Sequence, residues 1–243
     1  MSDEVAWTRS KPACVAREFI LSAVCRPLIA LYARSEVDGL ANLAGLNSPV
    51  IFVANHCSHM DTPLILRALP YGWRRRTGVA AAADYFYKRR LMAEAVSLAF
   101  NTVPIERNGE RVRHDAASVL DGLLAERWSL LVFAEGTRSR SGTVGALQSG
   151  AAVLAARHDL PIVPVFVTGT HAIMPVGRRW MRRHRARSRQ VARVAFGPPI
   201  PPRPREQRRE VMEDVRSFFA AQGAATTPNR RIAAKQAETA GAA

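Results

Sequence analysis

Asn55, His56, Ser58, His59 and Asp61 fall within seven positions, directly after the apolar run Val50-Ile51-Phe52-Val53. A neutral imidazole can take a proton from a hydroxyl when a carboxylate holds its other nitrogen and stabilises the imidazolium that forms. His56 and Asp61, five residues apart across a strand-to-helix turn, are the pair suited to that task. The same residues leave other chemistry open. H-x-x-H-x-D would bring His56, His59 and Asp61 to a metal ion, although it lacks the H-E-x-x-H spacing and no further His or Cys cluster completes it. Cys57 beside His56 suggests a nucleophile, but neighbours on extended backbone point apart, which makes it a packed or spectator side chain. A second polar cluster, Glu135 to Arg140, offers a glycine-containing turn, hydroxyls and two arginines, a composition that binds anions. Glu135 is equally suited to accepting backbone amides at its own turn.

These clusters need strands to present them. Val50 to Val53 and Leu130 to Phe133 are short, apolar runs of the kind buried on both faces of a parallel sheet. Ligands of open α/β sheets bind outside the carboxyl ends of such strands. Asp61-Thr62-Pro63 is expected to start a helix by N-cap chemistry, running to Leu69. Further strands are expected near 35–38, 79–83, 103–105, 160–167 and 191–196. Pro161 and Pro164 argue that the 160–167 strand is an edge or kinked. Helices are expected over 91–100, from Val112 along the face Ala116, Val119, Leu120, Leu123 and Leu124, from Ser149 or Gly150 to His158, and over 205–221.

The chain has 243 residues, 48% of them hydrophobic, enough for a sizeable core, and a formal net charge of +15. That charge implies an anionic partner: nucleic acid, a phospholipid surface or a phosphorylated small molecule. Cys14, Cys25 and Cys57, odd in number and without metal-type spacing, argue against a disulfide framework and for a reducing cytoplasm. The apolar segment 13–33 is interrupted by Arg17, Glu18 and Arg26 and falls short of a spanning helix. It reads either as a helix lying in a bilayer interface, with Phe19, Ile20, Val24, Leu28, Ile29 and Leu31 as its apolar side, or as an amphipathic helix packed on the domain. The aromatic and basic segment 84–90, and the eight arginines of 178–193, suit a lipid headgroup layer or nucleic acid; solvated loops and a helix start are the plain alternatives. The expected organisation is an N-terminal membrane-associating helix over 1–34, one catalytic domain over 35–221 and a disordered tail over 222–243.

Asn55-His56-Cys57-Ser58-His59-Met60-Asp61 resembles the N-H-x-S-x-x-D block of the glycerolipid acyltransferases, most closely the 1-acylglycerol-3-phosphate acyltransferase family. Three more blocks follow in that family's order: Val103-Pro104-Ile105-Glu106-Arg107, Phe133-Ala134-Glu135-Gly136-Thr137-Arg138-Ser139 and Ile162-Val163-Pro164-Val165. Two departures stand out. Ala134 replaces the usual proline, which would loosen that turn, and Leu147-Gln148-Ser149 stands where many members carry basic residues.

The resemblance implies an α/β fold with a mixed, largely parallel central sheet flanked by helices. It implies transfer of a fatty acyl group from acyl-CoA or acyl carrier protein to the hydroxyl of a lysophospholipid, foremost 1-acylglycerol-3-phosphate, giving phosphatidic acid. His56 and Asp61 would be catalytic, and Arg107 and Arg138 would grip the acceptor phosphate in a pocket shaped by Glu135, Gly136 and Thr137. No cofactor and no metal are implied, and the expected place is the cytoplasmic face of the cell membrane, peripheral or monotopic. Glycerol-3-phosphate or a specialised lipid is the alternative acceptor. A non-enzymatic basic module for nucleic acid is the rival of another class, and it leaves four ordered blocks unexplained.

Overall fold

The computed structural model describes residues 6–82, 90–105, 107–108, 111–112, 114–178, 180–182 and 189–224. In chain order the elements are α1 (Lys11–Phe19), a π-turn (Ile20–Cys25), α2 (Arg26–Tyr32), β1 (Ala33–Asp38), β2 (Ile51–Ala54), α3 (Asp61–Ala68), α4 (Tyr71–Arg74), β3 (Thr77–Ala82), α5 (Arg90–Phe100), β4 (Thr102–Ile105), β5 (Arg107–Asn108), β6 (Arg111–Val112), α6 (His114–Ala125), β7 (Ser129–Phe133), α7 (Gly150–His158), β8 (Ile162–Thr168), α8 (Thr170–Ile173), β9 (Gln190–Phe196) and α9 (Arg208–Ala221). Seven strands form one sheet in the order β1-β9-β8-β2-β7-β3-β4. The five from β8 to β4 are parallel, while β9 runs antiparallel to β8 and β1 parallel to β9. The expected mixed, largely parallel sheet flanked by helices is therefore observed.

β2 is the middle strand, and all four of its residues are fully buried because both sheet faces are covered. Ile51 and Val53 point into one layer with Leu120 and Leu123 of α6, Ala151 and Leu154 of α7 and Val215 and Phe219 of α9. Phe52 and Ala54 point into the other, with Leu64 and Ile65 of α3 and with Leu21 and Ile29 from the N-terminal helix. Alternation along one apolar strand thus supplies two cores.

Pro164 does not make β8 an edge or a break; β8 lies between β2 and β9. Regular pairing with β9 ends at Val165 opposite Phe196, and Gly197 donates to the Pro164 carbonyl at 2.8 Å. The missing proline N–H thus falls where the neighbouring backbone has left the ladder. Two other expectations change. Val112 belongs to β6, paired with Arg107 in a short antiparallel hairpin, and α6 starts only at His114. Asp61 is the first helical residue rather than the cap, which is Met60, and its carboxylate faces back along the chain.

The N-terminal helix is continuous from 11 to 32 but changes pitch at the π-turn, where Arg26 N–H donates to Leu21 O just before Pro27, which has no N–H to give. It has no single apolar side. Leu21 and Ile29 face the core, while Phe19, Val24 and Leu31 are exposed. Of the three charges that interrupt it, Arg17 is buried and donates to Leu98 O at 2.9 Å and to Thr8 O, and Glu18 pairs with Arg74. Residues 84–89 and 183–188, and the tail from 225, lie outside the described residues. Within the arginine-rich stretch, Arg193 is occupied structurally, reaching Asp38 at 2.9 Å across the β9–β1 ladder.

Candidate active site at the carboxyl end of β2

At Asn55 the chain leaves the sheet, and its side chain takes over the ladder. Nδ2 donates to Val167 O at 2.9 Å and Oδ1 accepts from Val167 N at 2.7 Å, so the exit of β2 stays tied to β8. His56 follows, fixed from four directions. Its N–H donates to Glu135 Oε1 at 3.0 Å and its carbonyl accepts from Ser139 N at 2.7 Å. Its ring stacks on Phe133 at 3.8 Å and 18°, and Nδ1 lies 2.8 Å from Asp61 Oδ2. With Nδ1–H donated to the carboxylate, Nε2 is the basic nitrogen, on the ring edge away from Asp61.

Asp61 is fully buried yet well supplied with donors. Oδ2 accepts from Cys57 N at 2.7 Å and Ser58 N at 2.8 Å as well as from His56, and Oδ1 accepts from Thr170 Oγ1 at 2.6 Å. A buried carboxylate without such partners would be strongly penalised. Thr170 was not among the residues singled out by sequence, although Gly169-Thr170 follows an apolar strand much as the His56 cluster does.

Cys57 is buried beneath the pair, its sulfur 3.3 Å from Thr170 Oγ1. Burial first, then the nearby Asp61 charge, pushes its thiol up to about 12, which removes it as a nucleophile at neutral pH. His59 meets the Arg138 guanidinium. Crowding by surrounding protein, reinforced by Arg138, pushes its imidazole down to about 4. The H-x-x-H-x-D metal arrangement is therefore not assembled, and among the described residues no group of three His, Cys, Asp or Glu side chains could hold an ion.

The 135–138 turn comes off β7, next to β2. Gly136 closes it at φ 72° and donates to Phe133 O at 3.0 Å. Glu135 uses both oxygens on backbone, His56 N on one and Gly145 N at 2.9 Å on the other; partial burial raises its pKa despite those bonds. It thus acts as a tether that shapes the turn. Ala134, expected to loosen this turn, instead donates its N–H to Ala54 O at 2.8 Å, a bond that proline could not make. Thr137 is exposed and Arg138 half-buried at the crevice. His56, Asp61, Glu135, Gly136, Thr137 and Arg138 are thus brought together. Arg107 begins β5, just beyond the carboxyl end of β4, three strand positions from β2 or roughly 14 Å at ordinary strand spacing. Its side chain lies outside what is described.

A cleft of about 1030 Å³, lined by Arg9, Phe19, Tyr71, Arg75, Arg76 and Trp128 among others, opens at the other end of the sheet. None of the site residues above lines it.

The family model described as Acyltransferase matches residues 34–168, more than half of the chain. The chloroplastic 1-acyl-sn-glycerol-3-phosphate acyltransferase of Brassica napus is 29% identical over 154 residues, covering 63% of this chain and 42% of that relative. A 1-acyl-sn-glycerol-3-phosphate acyltransferase of Limnanthes douglasii is 32% identical over 122 residues, covering 50% of this chain and 41% of the relative. The matched stretch thus spans about two fifths of these relatives. The crystal structure of the 1-acyl-sn-glycerophosphate acyltransferase from Thermotoga maritima shares the fold, with a TM-score of 0.63 at 22% identity over 92% of this chain and 88% of that one. On the match to residues 34–168, which spans the strand, the dyad and the Glu135 turn, the chain belongs to the Acyltransferase family.

Proposed function

We propose that the protein transfers a fatty acyl group from an acyl thioester, acyl-CoA or acyl carrier protein, to the free hydroxyl of 1-acylglycerol-3-phosphate, giving phosphatidic acid. The observation that carries this reading is the His56 imidazole held by Asp61 at the carboxyl end of the central strand, 2.8 Å apart, beside an arginine-bearing turn. The names of the plant and Thermotoga relatives support the choice of acceptor.

In this reading His56 Nε2 removes the acceptor hydroxyl proton as its oxygen attacks the thioester carbonyl carbon. The tetrahedral intermediate collapses with cleavage of the C–S bond. His56 returns the proton to the departing thiolate, leaving an ester and a free thiol. Asp61 stabilises the imidazolium between the two transfers. Arg138 meets the acceptor phosphate, a planar donor suited to phosphate oxygens, and the family block assigns Arg107 to the same phosphate. No metal or redox group takes part, so chelators leave the rate unchanged. The exposed Val15, Phe19, Val24 and Leu31 of the N-terminal helix rest on the bilayer that holds the acceptor; no described helix is long and apolar enough to cross a membrane.

The test is purified protein with labelled acyl-CoA and a panel of acceptors: 1-acylglycerol-3-phosphate, glycerol-3-phosphate and uncharged lysolipids. The expected product is labelled phosphatidic acid, and His56→Ala is expected to lose roughly 10²- to 10⁴-fold in rate. A folded His56→Ala protein that transfers at the wild-type rate overturns the assignment.

A further inference from the structure

The loop carrying the dyad is gripped from a direction that neither of its own flanking elements supplies. The end of β8 and the helix α8 make three attachments to it. Asn55 exchanges two hydrogen bonds with Val167, Ser58 Oγ donates to Met174 O at 2.8 Å, and Thr170 Oγ1 donates to Asp61 Oδ1 at 2.6 Å. The two Asp61 oxygens are unequally served. Among the described residues three donors crowd Oδ2, while Oδ1 takes the threonine hydroxyl at close range and the Cys57 sulfur at 4.0 Å. Because the one hydroxyl proton of Thr170 goes to Asp61, the Cys57 thiol is the donor in the 3.3 Å Cys57–Thr170 contact. The carboxylate thus accepts from both sides, from the threonine hydroxyl at Oδ1 and from the imidazole Nδ1–H at Oδ2. Thr170 is fully buried, and its place is set tightly: Gly169 before it has φ 84°, and a Cβ there would stand 2.0 Å from Val191 O.

We propose that Thr170 is a positioning residue of the dyad, its buried hydroxyl fixing the Asp61 carboxylate in the rotation that holds His56 as proton acceptor. This rests on the acyl-transfer reading above. Rotation about the Cβ–Cγ bond moves both oxygens, and the threonine hydroxyl adds to the three donors at Oδ2 a fixed point on the other oxygen. The hydroxyl also draws negative charge away from Oδ2, which tempers how strongly the carboxylate stabilises the imidazolium.

The test compares Thr170→Val, which keeps the branched shape and removes the hydroxyl, with Thr170→Ser, which keeps the hydroxyl. Thr170→Val is expected to lower kcat roughly 10-fold with acceptor KM within about twofold, and to move the acidic limb of the pH profile upward by about half a unit. Thr170→Ser is expected to stay within about threefold of wild type. The other ionisable groups around the dyad, Glu135 and Arg138 on the neighbouring turn, Cys57 and His59 on the dyad loop and His171 on α8, are the same in all three proteins. Equal losses in the two folded variants would assign the effect to packing at this position rather than to the hydroxyl and overturn the proposal. A wild-type kcat and pH profile in Thr170→Val would overturn it too. If wild-type protein acylates no acceptor, the acyl-transfer reading fails by itself. The positioning claim is then decided by the His56 ring nitrogens followed by NMR against pH, where an unmoved titration in Thr170→Val overturns it.

Discussion

Asp61 and Glu135 are two acidic residues in one crevice, each accepting backbone N–H groups, yet their surroundings divide them. Asp61 is fully buried and receives a ring nitrogen, two amides and a hydroxyl. Glu135 is half-buried and, among the described residues, holds two amides, one of them that of His56. The same functional group is therefore placed once against the imidazole and once against the backbone that carries it. In the proposed acyl transfer the first acts on charge that develops during turnover, the second on where the base sits before turnover begins.

Replacing Asp61 with Asn should have the largest effect. The imidazole loses its charge partner, leaving the imidazolium without a carboxylate to stabilise it, and turnover should fall roughly 10²-fold or more. A kcat within threefold of wild type would show that the two acids do not differ in kind. Arg138→Ala comes next. It should raise acceptor KM about 10-fold with little change in donor KM; the reverse pattern would reassign the guanidinium to the phosphates of the thioester donor.

Glu135→Gln should act on stability more than on chemistry, lowering the unfolding free energy by about 1 kcal/mol, because the carboxamide has one acceptor oxygen where the carboxylate serves two amides with two. Because burial raises the Glu135 pKa above its ordinary 4.5, the native state takes up this proton before the unfolded chain does. The contribution of this titration is fully present below 4.5 and is lost as pH rises through the folded value. The stability difference between wild type and Glu135→Gln should therefore widen as pH falls from 7 toward 4.5, read by denaturant midpoints. A difference flat in pH would contradict the raised value. Cys57→Ala should have the smallest effect, leaving kcat within about threefold, and native Cys57 should resist alkylation at pH 8 while Cys14, partly exposed, reacts.

The dyad was legible because its partners are five residues apart and the strand before them is apolar on both faces. Thr170 and Glu135 make their contacts across 109 and 79 residues of sequence. Nothing local encodes those distances; they are set when β8 and β7 settle on either side of β2. Pro164 was misread for a related reason. Whether a missing N–H matters depends on whether a neighbour stands opposite it, and that neighbour comes from 197–200, after β9. Asp61 was read as a helix cap because the type suits one, but a carboxylate at the first helical position can instead turn back to the preceding loop.

The N-terminal helix bears on where this protein can be cut. The family match begins at residue 34, immediately after that helix. A fragment begun there would lose Leu21 and Ile29 from the layer over Phe52 and Ile65 and strip Leu98 O of its guanidinium partner. The freshly bared patch would be apolar and would lie over the sheet face that carries α3 and, at its start, Asp61. A shortened protein should therefore precipitate or lose activity for reasons unrelated to any membrane, and soluble forms are better sought by changing Val15, Phe19, Val24 and Leu31 to polar residues while the helix stays in place.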